Sequence, residues 1–230
     1  MIEEPPLLTV KAERPRPTAA QLAALDGVPT GFLTDAMSGQ GALDPTIRPL
    51  NPEVLSSVAS GPVLTCACGP ADLLAVLGAL TEIQAGDILV ADSGDWQKSA
   101  IVGDRVMGML KNAGAAGFVT DGLVRDLEGI NEVGLPVFCK GLSPNSPYAK
   151  GPGTIGTDIQ LGGVSVKSGD ILVTDDSGIV VVPYERIDEV IASVAHIKEL
   201  EEALDAKVAD GLVVPDDIRS LMESDQVKRI

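Results

Sequence analysis

The chain has 230 residues, of which 45% are hydrophobic but only 3% aromatic, so its core must be built mainly from Val, Leu, Ile and Ala. This length suits one sizeable α/β domain or two small ones. The formal charge of −16 should repel nucleic acid and anionic membranes, and we expect neither as a partner. No apolar run approaches the ~20 residues of a membrane helix. The acidic, proline-rich start, MIEEPPLLTVKAERPRP, has no hydrophobic signal core, which predicts a cytoplasmic location.

The predicted elements alternate between strands and helices up to residue 135 and then become mostly short strands. They are helices 17–25 and 29–37, strand 62–67, helix 70–80, strand 88–91, helix 103–113, strand 117–121, strands 136–139, 157–161, 164–166, 171–174 and 179–182, and helices 184–207 and 215–223. We expect a loosely ordered arm over residues 1–17, one domain over 18–210 and a helical tail over 211–230. The stretches AGDILVADSGD (85–95) and SGDILVTDDSG (168–178) favour a shared turn leading into a buried strand rather than a duplicated domain.

The histidine and cysteine content restricts the possible chemistry. His196 is the sole histidine, which excludes histidine-rich zinc sites and histidine dyads, and we expect it at a surface or interface. Cys66, Cys68 and Cys139 lack zinc-finger spacing and are predicted to be reduced, mostly buried thiols. Acid–base chemistry would therefore use carboxylates, Lys, Tyr or metal-bound water.

The central strand, helix and strand (88–91, 103–113 and 117–121) form a predicted βαβ unit. If the strands are parallel, both of their carboxyl ends and the amino end of the helix lie at one edge of the sheet, where ligands bind in open α/β sheets. The loop 92–102, the helix start at 103–104 and the segment 121–126 should therefore gather in one crevice.

The helix start allows two interpretations. Gly103 would let the chain approach a ligand closely, and the unpaired amides near Arg105 and Val106 could bind a carboxylate. Alternatively, Asp104 simply caps the helix. The residues alone leave both open.

The segment TDGLVRD (120–126) also allows two interpretations. Arg125 offers a planar fork for a carboxylate or carbonyl oxygen, and Asp126 offers oxygen ligands for Mg²⁺ or Mn²⁺. Adjacent residues can act together only if they lie in a turn, which Gly122 makes plausible. The alternative is an exposed Arg–Asp pair with little energetic consequence.

A wider pattern connects the two ends. Asp104, twenty residues and then Arg125-Asp126 lie within VGDRVMGMLKNAGAAGFVTDGLVRDLEGI, followed downstream by LPVFCKGLSPNSP and GGVSVKSGDILVTDDSGIVVVP. With the upstream TDAMSGQGALDPTIRPL, this resembles the family of 4-hydroxy-4-methyl-2-oxoglutarate/4-carboxy-4-hydroxy-2-oxoadipate aldolases and the related regulator of ribonuclease activity A, over about residues 29–205.

The resemblance implies an α/β/β sandwich similar to a phosphohistidine swivelling domain. It implies a class II aldolase that needs Mg²⁺ or Mn²⁺, cleaves a 4-hydroxy-2-oxo acid to release pyruvate through an enolate, and decarboxylates oxaloacetate as a side activity. The metal-binding residue would be Asp126. Substrate would contact Gly103, the amides of Arg105 and Val106, and Arg125, which is also catalytic.

The resemblance leaves the base open between metal-bound hydroxide and a water positioned by Asp104, the second residue with a catalytic role. It also implies a homotrimer or homohexamer, in which a carboxylate from a neighbouring subunit's C-terminal helix completes the site. Glu199, Glu201 and Glu202 are the candidates in this chain.

One departure and three alternative functions remain. The family often has Gly-Glu-Leu/Ile at the helix start, whereas Gly-Asp-Arg stands here, and the extra positive charge of Arg105 favours a different or more acidic substrate. The main alternative is a non-catalytic regulator that binds a ribonuclease or other protein partner. That branch generally lacks the aspartate after the arginine, whereas Asp126 is present here. Another alternative is an enzyme of the same mechanism that acts on another oxo acid, mainly as a decarboxylase. A phosphohistidine carrier would have to use His196, which lies outside any Gly-rich loop.

Overall fold

The computed structural model describes residues 6–11 and 13–230. In chain order the elements are β1 (Leu8–Val10), α1 (Ala19–Leu25), α2 (Thr30–Ala36), β2 (Arg48–Pro49), β3 (Ala59–Ala67), α3 (Leu74–Ala79), β4 (Ile88–Asp92), β5 (Ala100–Val102), α4 (Asp104–Asn112), β6 (Gly117–Thr120), β7 (Leu123–Val124), α5 (Leu127–Val133), β8 (Val137–Cys139), β9 (Gly153–Ile155), β10 (Ile159–Leu161), β11 (Val164–Val166), β12 (Ile171–Asp175), β13 (Gly178–Val182), a 3-10 turn (Tyr184–Arg186), α6 (Ile187–Ala209) and α7 (Asp216–Glu223).

A mixed sheet organises the molecule and confirms the predicted α/β class. Its strand order is β1-β9-β3-β4-β6-β8-β2, and β12 pairs with both β3 and β13. The strands β3, β4, β6 and β8 run parallel at its centre. Strand β4 pairs with β6 from Ile88 opposite Gly117 to Ala91 opposite Thr120, so the predicted βαβ unit is confirmed as β4, α4 and β6.

The two faces of the sheet are covered differently. Along β4, Leu89 and Ala91 pack with helices α3, α4 and α5, whereas Ile88 and Val90 pack with residues of β10, β11 and β12. Alternate residues of a strand point to opposite faces, which explains why this strand is apolar throughout. The helices α1, α2 and α6 form a further cluster with β12 and β13. None of the described helices is both long and apolar enough to cross a membrane.

Several predicted boundaries need correction. The predicted helix 70–80 is only Leu74–Ala79. Ala71 has a positive φ of 57°, and the buried Asp72 carboxylate accepts hydrogen bonds from the amides of Leu74, Lys150 and Gly151, which tie the preceding turn to a distant loop. Similarly, the predicted strand 157–161 begins only at Ile159.

The arm expected to be loosely ordered is attached to the domain in its described part. Strand β1 pairs in parallel with β9, which the sequence did not predict. Arg14 and Arg16 both bind the fully buried Asp87 carboxylate, the latter at 2.6 Å. Arg14 also donates to the carbonyl oxygens of Val63 and Glu82.

The repeated Gly-Asp segments adopt the same turn, as predicted. The Asp87 amide donates to the Gln84 carbonyl, and the Gln84 amide donates back to the Asp87 carboxylate at 2.8 Å. Asp170 and Lys167 make the same reciprocal pair before β12. Burial raises the pKa of the Asp170 carboxyl, against hydrogen bonds from the amides of Lys167 and Tyr184.

We predict that Arg14→Ala lowers the free energy of unfolding by about 2 kcal/mol, because it leaves a buried carboxylate with one cation fewer. Arg16→Ala should cost less than about 1 kcal/mol, because the Arg16 side chain is 35% exposed and that of Arg14 only 7%. Urea denaturation followed by circular dichroism measures both. Equal losses would contradict the anchoring role given to Arg14.

Candidate functional site

Two chain segments meet beyond the ends of the central strands. The segment 103–104 opens α4, and the segment 125–126 connects β7 to α5. Strand β5 pairs in parallel with β7, and the Arg125 amide donates to the Val102 carbonyl at 3.1 Å. This pairing places Arg125 and Asp126 beside Gly103, as the βαβ geometry predicts.

Residue 103 must be glycine because the Asp126 carboxylate packs against its Cα and leaves no room for a side chain. A Cβ at this position would lie 2.5 Å from Asp126 Oδ2 and 3.1 Å from Arg125 Cγ. The φ of Gly103 is −140°, which any residue can adopt, so the constraint is steric. A second glycine has a similar relation to the facing helix: a Cβ on Gly129 would lie 2.6 Å from the Cβ and Oδ2 of Asp104.

Asp126 adopts the left-handed conformation, with φ 62° and ψ 50°. Aspartate tolerates this region better than most side chains, and such residues concentrate at functional sites. The turn brings Asp126 Oδ2 to 3.2 Å from Arg125 Nε, and it meets the requirement that these adjacent residues lie in a turn. The Asp126 side chain is 43% exposed, so its carboxylate is open to a ligand.

The Arg125 guanidinium is held on one side and unsatisfied on the other. Its Nη1 donates to Ser146 Oγ. Its Nε is buried, and the alignment with Asp126 is not that of a hydrogen bond, so this donor has no acceptor within the described residues. The covered Nε faces the Asp126 carboxylate, whereas the side chain as a whole is 35% exposed and lines the pockets described below, where its outer nitrogens can donate to an oxygen of a ligand.

The loop carrying Ser146 is fixed against the same strands. Asn145 accepts a hydrogen bond from the Ala100 amide, and Val124 exchanges hydrogen bonds with Gly141 and Ser143. Sequence reasoning did not identify Ser146, although it lies in the segment LSPNSP. The two prolines of that segment restrict its backbone, but no local pattern in the sequence connects it to Arg125.

The amides of Arg105 and Val106 at the start of α4 are both hydrogen-bonded within the described chain. The Arg105 amide donates to Asp104 Oδ1 at 2.7 Å, and the Val106 amide donates to the Gly103 carbonyl at 3.1 Å. Asp104 is the first residue of the helix and Gly103 is its N-cap, so the Asp104 carboxylate contacts the first turn through the Arg105 amide without being the N-cap of the capping interpretation. A ligand carboxylate could take the Arg105 amide only by displacing Asp104.

The predicted site residues line two adjoining open pockets. Both pockets are lined by Asp104, Arg105, Arg125 and Asp126. One continues along Leu127, Glu128 and Gly129, and the other along Leu73, Val102, Gly103, Val106, Ser146 and Pro147. Within the described residues, no group of three or more His, Cys, Asp or Glu side chains is arranged to hold a metal ion.

Most of the loop 92–102 is absent from these pockets, contrary to prediction; only Val102 contributes to their lining. The buried Asp121 carboxylate holds this loop, accepting hydrogen bonds from the amides of Ser93 and Asp95 and from Ser93 Oγ, at 2.7–2.8 Å. Burial and then the charge of Asp121 raise the pKa of Asp92, against a hydrogen bond from the Gly94 amide. Asp121 is thus a strand-end residue that shapes the loop.

The candidates in the C-terminal helix lie elsewhere in a single chain. Helix α6 packs on α1 and α2 through its first half, where Ile187, Val190 and Val194 are buried. His196 is exposed, and Glu199, Glu201 and Glu202 do not line the pockets. The predicted contribution of a glutamate to a neighbouring subunit stays a prediction. The three cysteines are free thiols, with Cys66 and Cys139 buried.

Comparison with known protein families identifies the family of this chain. The profile of the RraA-like family, described as Aldolase/RraA, matches residues 30–181, about two thirds of the chain. The chain belongs to the aldolase/RraA family. The match includes both segments of the site, so the resemblance seen in the sequence is confirmed.

The proteins similar to this chain include one named as an aldolase and others described as RraA inhibitors. A protein of Halalkalibacterium halodurans named "Putative 4-hydroxy-4-methyl-2-oxoglutarate aldolase" is 34% identical over 196 residues, which cover 85% of this chain and 90% of the relative. RraAS2 of Streptomyces coelicolor, described as an unusual member of the RNase ES inhibitor RraA protein family, superposes with a TM-score of 0.74 at 26% identity, covering 84% of this chain and all of that one.

The RNA-processing inhibitor RraA of Thermus thermophilis gives a TM-score of 0.62 at 26% identity, covering 67% of this chain and 92% of that one.

We predict that Gly103→Ala displaces the Asp126 carboxylate and leaves the fold intact, because the clashing Oδ2 is the free end of a side chain. The free energy of unfolding should fall by no more than about 1.5 kcal/mol. A crystal structure and a urea titration of the variant would test this. Gly108→Ala in the same helix is the matched control, since its Cβ would meet only Val133 Cγ2 at 3.9 Å. An unmoved Asp126 in the first variant would contradict the steric account.

Proposed function

We propose that this chain is a divalent-metal-dependent aldolase that cleaves a 4-hydroxy-2-oxo acid, such as 4-hydroxy-4-methyl-2-oxoglutarate, and releases pyruvate. Oxaloacetate decarboxylation is the expected side activity, since both reactions form a pyruvate enolate. The observation that carries the proposal is the meeting of an exposed Asp126 carboxylate, an incompletely satisfied Arg125 guanidinium and Asp104 in one open pocket. The similarity to the relative named as an aldolase supports the same reaction.

The donor set fits Mg²⁺ or Mn²⁺. Asp126 provides hard carboxylate oxygens that are open to solvent, and Mg²⁺ in proteins is often held by one or two carboxylates while it keeps several waters. Asp126 would hold the ion, with Asp104 as the other aspartate of the pocket. When bound, the ion would supply a Lewis acid beside the substrate's oxo acid end.

Arg125 would bind the oxo oxygen of the substrate. Its side chain is 35% exposed and lines both pockets, so the outer nitrogens of the guanidinium can donate to a substrate oxygen. As the bond between C3 and C4 breaks, its electrons move toward that oxygen, and the fixed positive charge of Arg125 stabilises the negative charge that develops there. Ser146 keeps the guanidinium in place through Nη1.

Asp104 would assist removal of the proton from the substrate's C4 hydroxyl. Cleavage requires that this proton leaves as the C4 carbonyl forms. The hydrogen bond from the Arg105 amide fixes Asp104, which can then orient a water that accepts the proton. Return of a proton from this water to C3 of the enolate gives pyruvate and balances the reaction. His196 is exposed on α6 and lines neither pocket of the described chain.

The proposed assembly is a homotrimer or homohexamer with sites near subunit interfaces. The second half of α6 exposes Leu200, Leu204 and Val208, and burying them against another subunit would bring Glu199, Glu201 or Glu202 near a neighbour. The α/β/β layering and the likeness to a phosphohistidine swivelling domain remain a prediction about the fold.

The alternative is a non-catalytic regulator that binds a ribonuclease or other protein partner. It is favoured by the structural similarity to two proteins described as inhibitors of RNA processing or of an RNase. Asp126, held in a strained conformation and open to solvent, favours catalysis instead.

We predict that the purified protein with Mg²⁺ releases pyruvate from 4-hydroxy-4-methyl-2-oxoglutarate and from oxaloacetate, as followed with lactate dehydrogenase and NADH. EDTA should abolish the activity, and Asp126→Ala or Arg125→Ala should lower kcat/KM at least about 100-fold. Glu132→Gln is the matched control, because it neutralises an exposed carboxylate on α5 outside the pockets and should leave kcat/KM unchanged.

Activity that survives EDTA and Asp126→Ala would overturn the metal role. A protein inactive on every oxo acid that nevertheless binds a ribonuclease in a pull-down would establish the regulator instead.

A further inference from the structure

Arg105 is a positive charge at the site without a counterpart. The chain carries 33 acidic residues against 17 Lys and Arg, and four of its eight arginines, Arg14, Arg16, Arg125 and Arg186, have a carboxylate partner among the described residues. The Arg105 side chain is exposed and lines both pockets, yet among the described residues it makes no ion pair and its guanidinium makes no hydrogen bond.

The lack of a partner is informative because carboxylates are close by in the sequence and in the pocket. Asp104 uses Oδ1 on the Arg105 amide, Asp126 lies against Arg125, and Glu128 lines the same pocket. An arginine at this position therefore counters local negative charge while keeping its planar fork available.

The electrostatics of the pocket define what Arg105 could bind. A substrate with a second carboxylate would be repelled by Asp104, Asp126 and Glu128 in a chain of charge −16, unless a local cation offsets them. Arg125 is already committed to the oxo acid end in the proposed reaction. Arg105 is the other cation of the lining, and an arginine fork matches the two oxygens of a carboxylate.

We infer that Arg105 binds the distal carboxylate of the substrate, so that this site selects 2-oxo dicarboxylic acids over 2-oxo monocarboxylic acids. The inference rests on the proposed function for the placement of the oxo acid end at Arg125 and Asp126. It makes Arg105 a specificity-determining residue through its side chain, whichever group its amide binds.

Two compounds that are not cleaved isolate this contact. They are 2-oxoglutarate and 2-oxopentanoate, which have the same five-carbon chain and differ by a distal carboxylate in place of a methyl group. Isothermal titration calorimetry in the presence of Mg²⁺ should show that the wild-type protein binds 2-oxoglutarate about tenfold more tightly. Arg105→Ala should remove that preference, and Arg105→Lys, which keeps the charge but loses the fork, should keep part of it.

Arg48→Ala is the control for net charge, because Arg48 is exposed at the sheet edge and lies outside both pockets. It should retain the full preference for 2-oxoglutarate. The thermal midpoint of Arg105→Ala should match that of the wild type, since the side chain has no described partner to lose.

The outcomes separate the inference from the proposed function. A preference that persists in Arg105→Ala, or is absent from the wild type, overturns the inference, even where pyruvate release is normal. A protein that releases no pyruvate from any oxo acid but shows the Arg105-dependent preference overturns the aldolase proposal and supports the binding role of Arg105.

Discussion

The approach of Asp126 to Gly103 is the contact on which the site depends. Two segments that are more than twenty residues apart meet where a side chain at position 103 would collide with the Asp126 carboxylate. The pairing of β5 with β7 brings the segments together, and the left-handed turn at Asp126 directs the chain into α5. Arg125 lies in the same turn as Asp126. The absence of a side chain at Gly103 therefore makes room for both charged groups.

The surroundings of this contact would allow an acidic protein to bind the anionic substrate that we propose. The parallel strands β4 and β6 place the start of α4 and the Arg125 segment at one edge of the sheet. There the chain places Arg105 and Arg125 among Asp104, Asp126 and Glu128. Ser146 holds one arginine from a loop that is itself bonded to β5 and β7, whereas the other remains free within the described chain. Of the two arginines, Arg125 is thus fixed by a hydrogen bond, and Arg105 stays available for a ligand.

Much of this arrangement could be predicted from local patterns, and the rest depends on contacts between distant segments. The apolar strands and the glycine after α4 were sufficient to predict the βαβ unit, which in turn placed Asp104 near Arg125. The short strands β1, β5, β7 and β9 were missed, because segments of two or three residues acquire their conformation from a partner strand. The position of Ser146 likewise follows from tertiary structure, whereas the α4 amides are paired locally, with Asp104 and Gly103. The attachment of Arg14 and Arg16 to Asp87 also follows from tertiary structure, and it turned an expected loose arm into part of the domain.

The most direct test of this account is a crystal structure of the protein soaked with Mn²⁺ and pyruvate, with data collected at the manganese absorption edge. We expect an anomalous peak at about metal–oxygen bonding distance, roughly 2.1 Å, from an Asp126 carboxylate oxygen. The pyruvate oxo oxygen should lie within hydrogen-bonding distance of the Arg125 guanidinium. A manganese peak elsewhere, or pyruvate bound away from Arg125 with Asp126 free of metal, would contradict the assignment of this pocket as the active site.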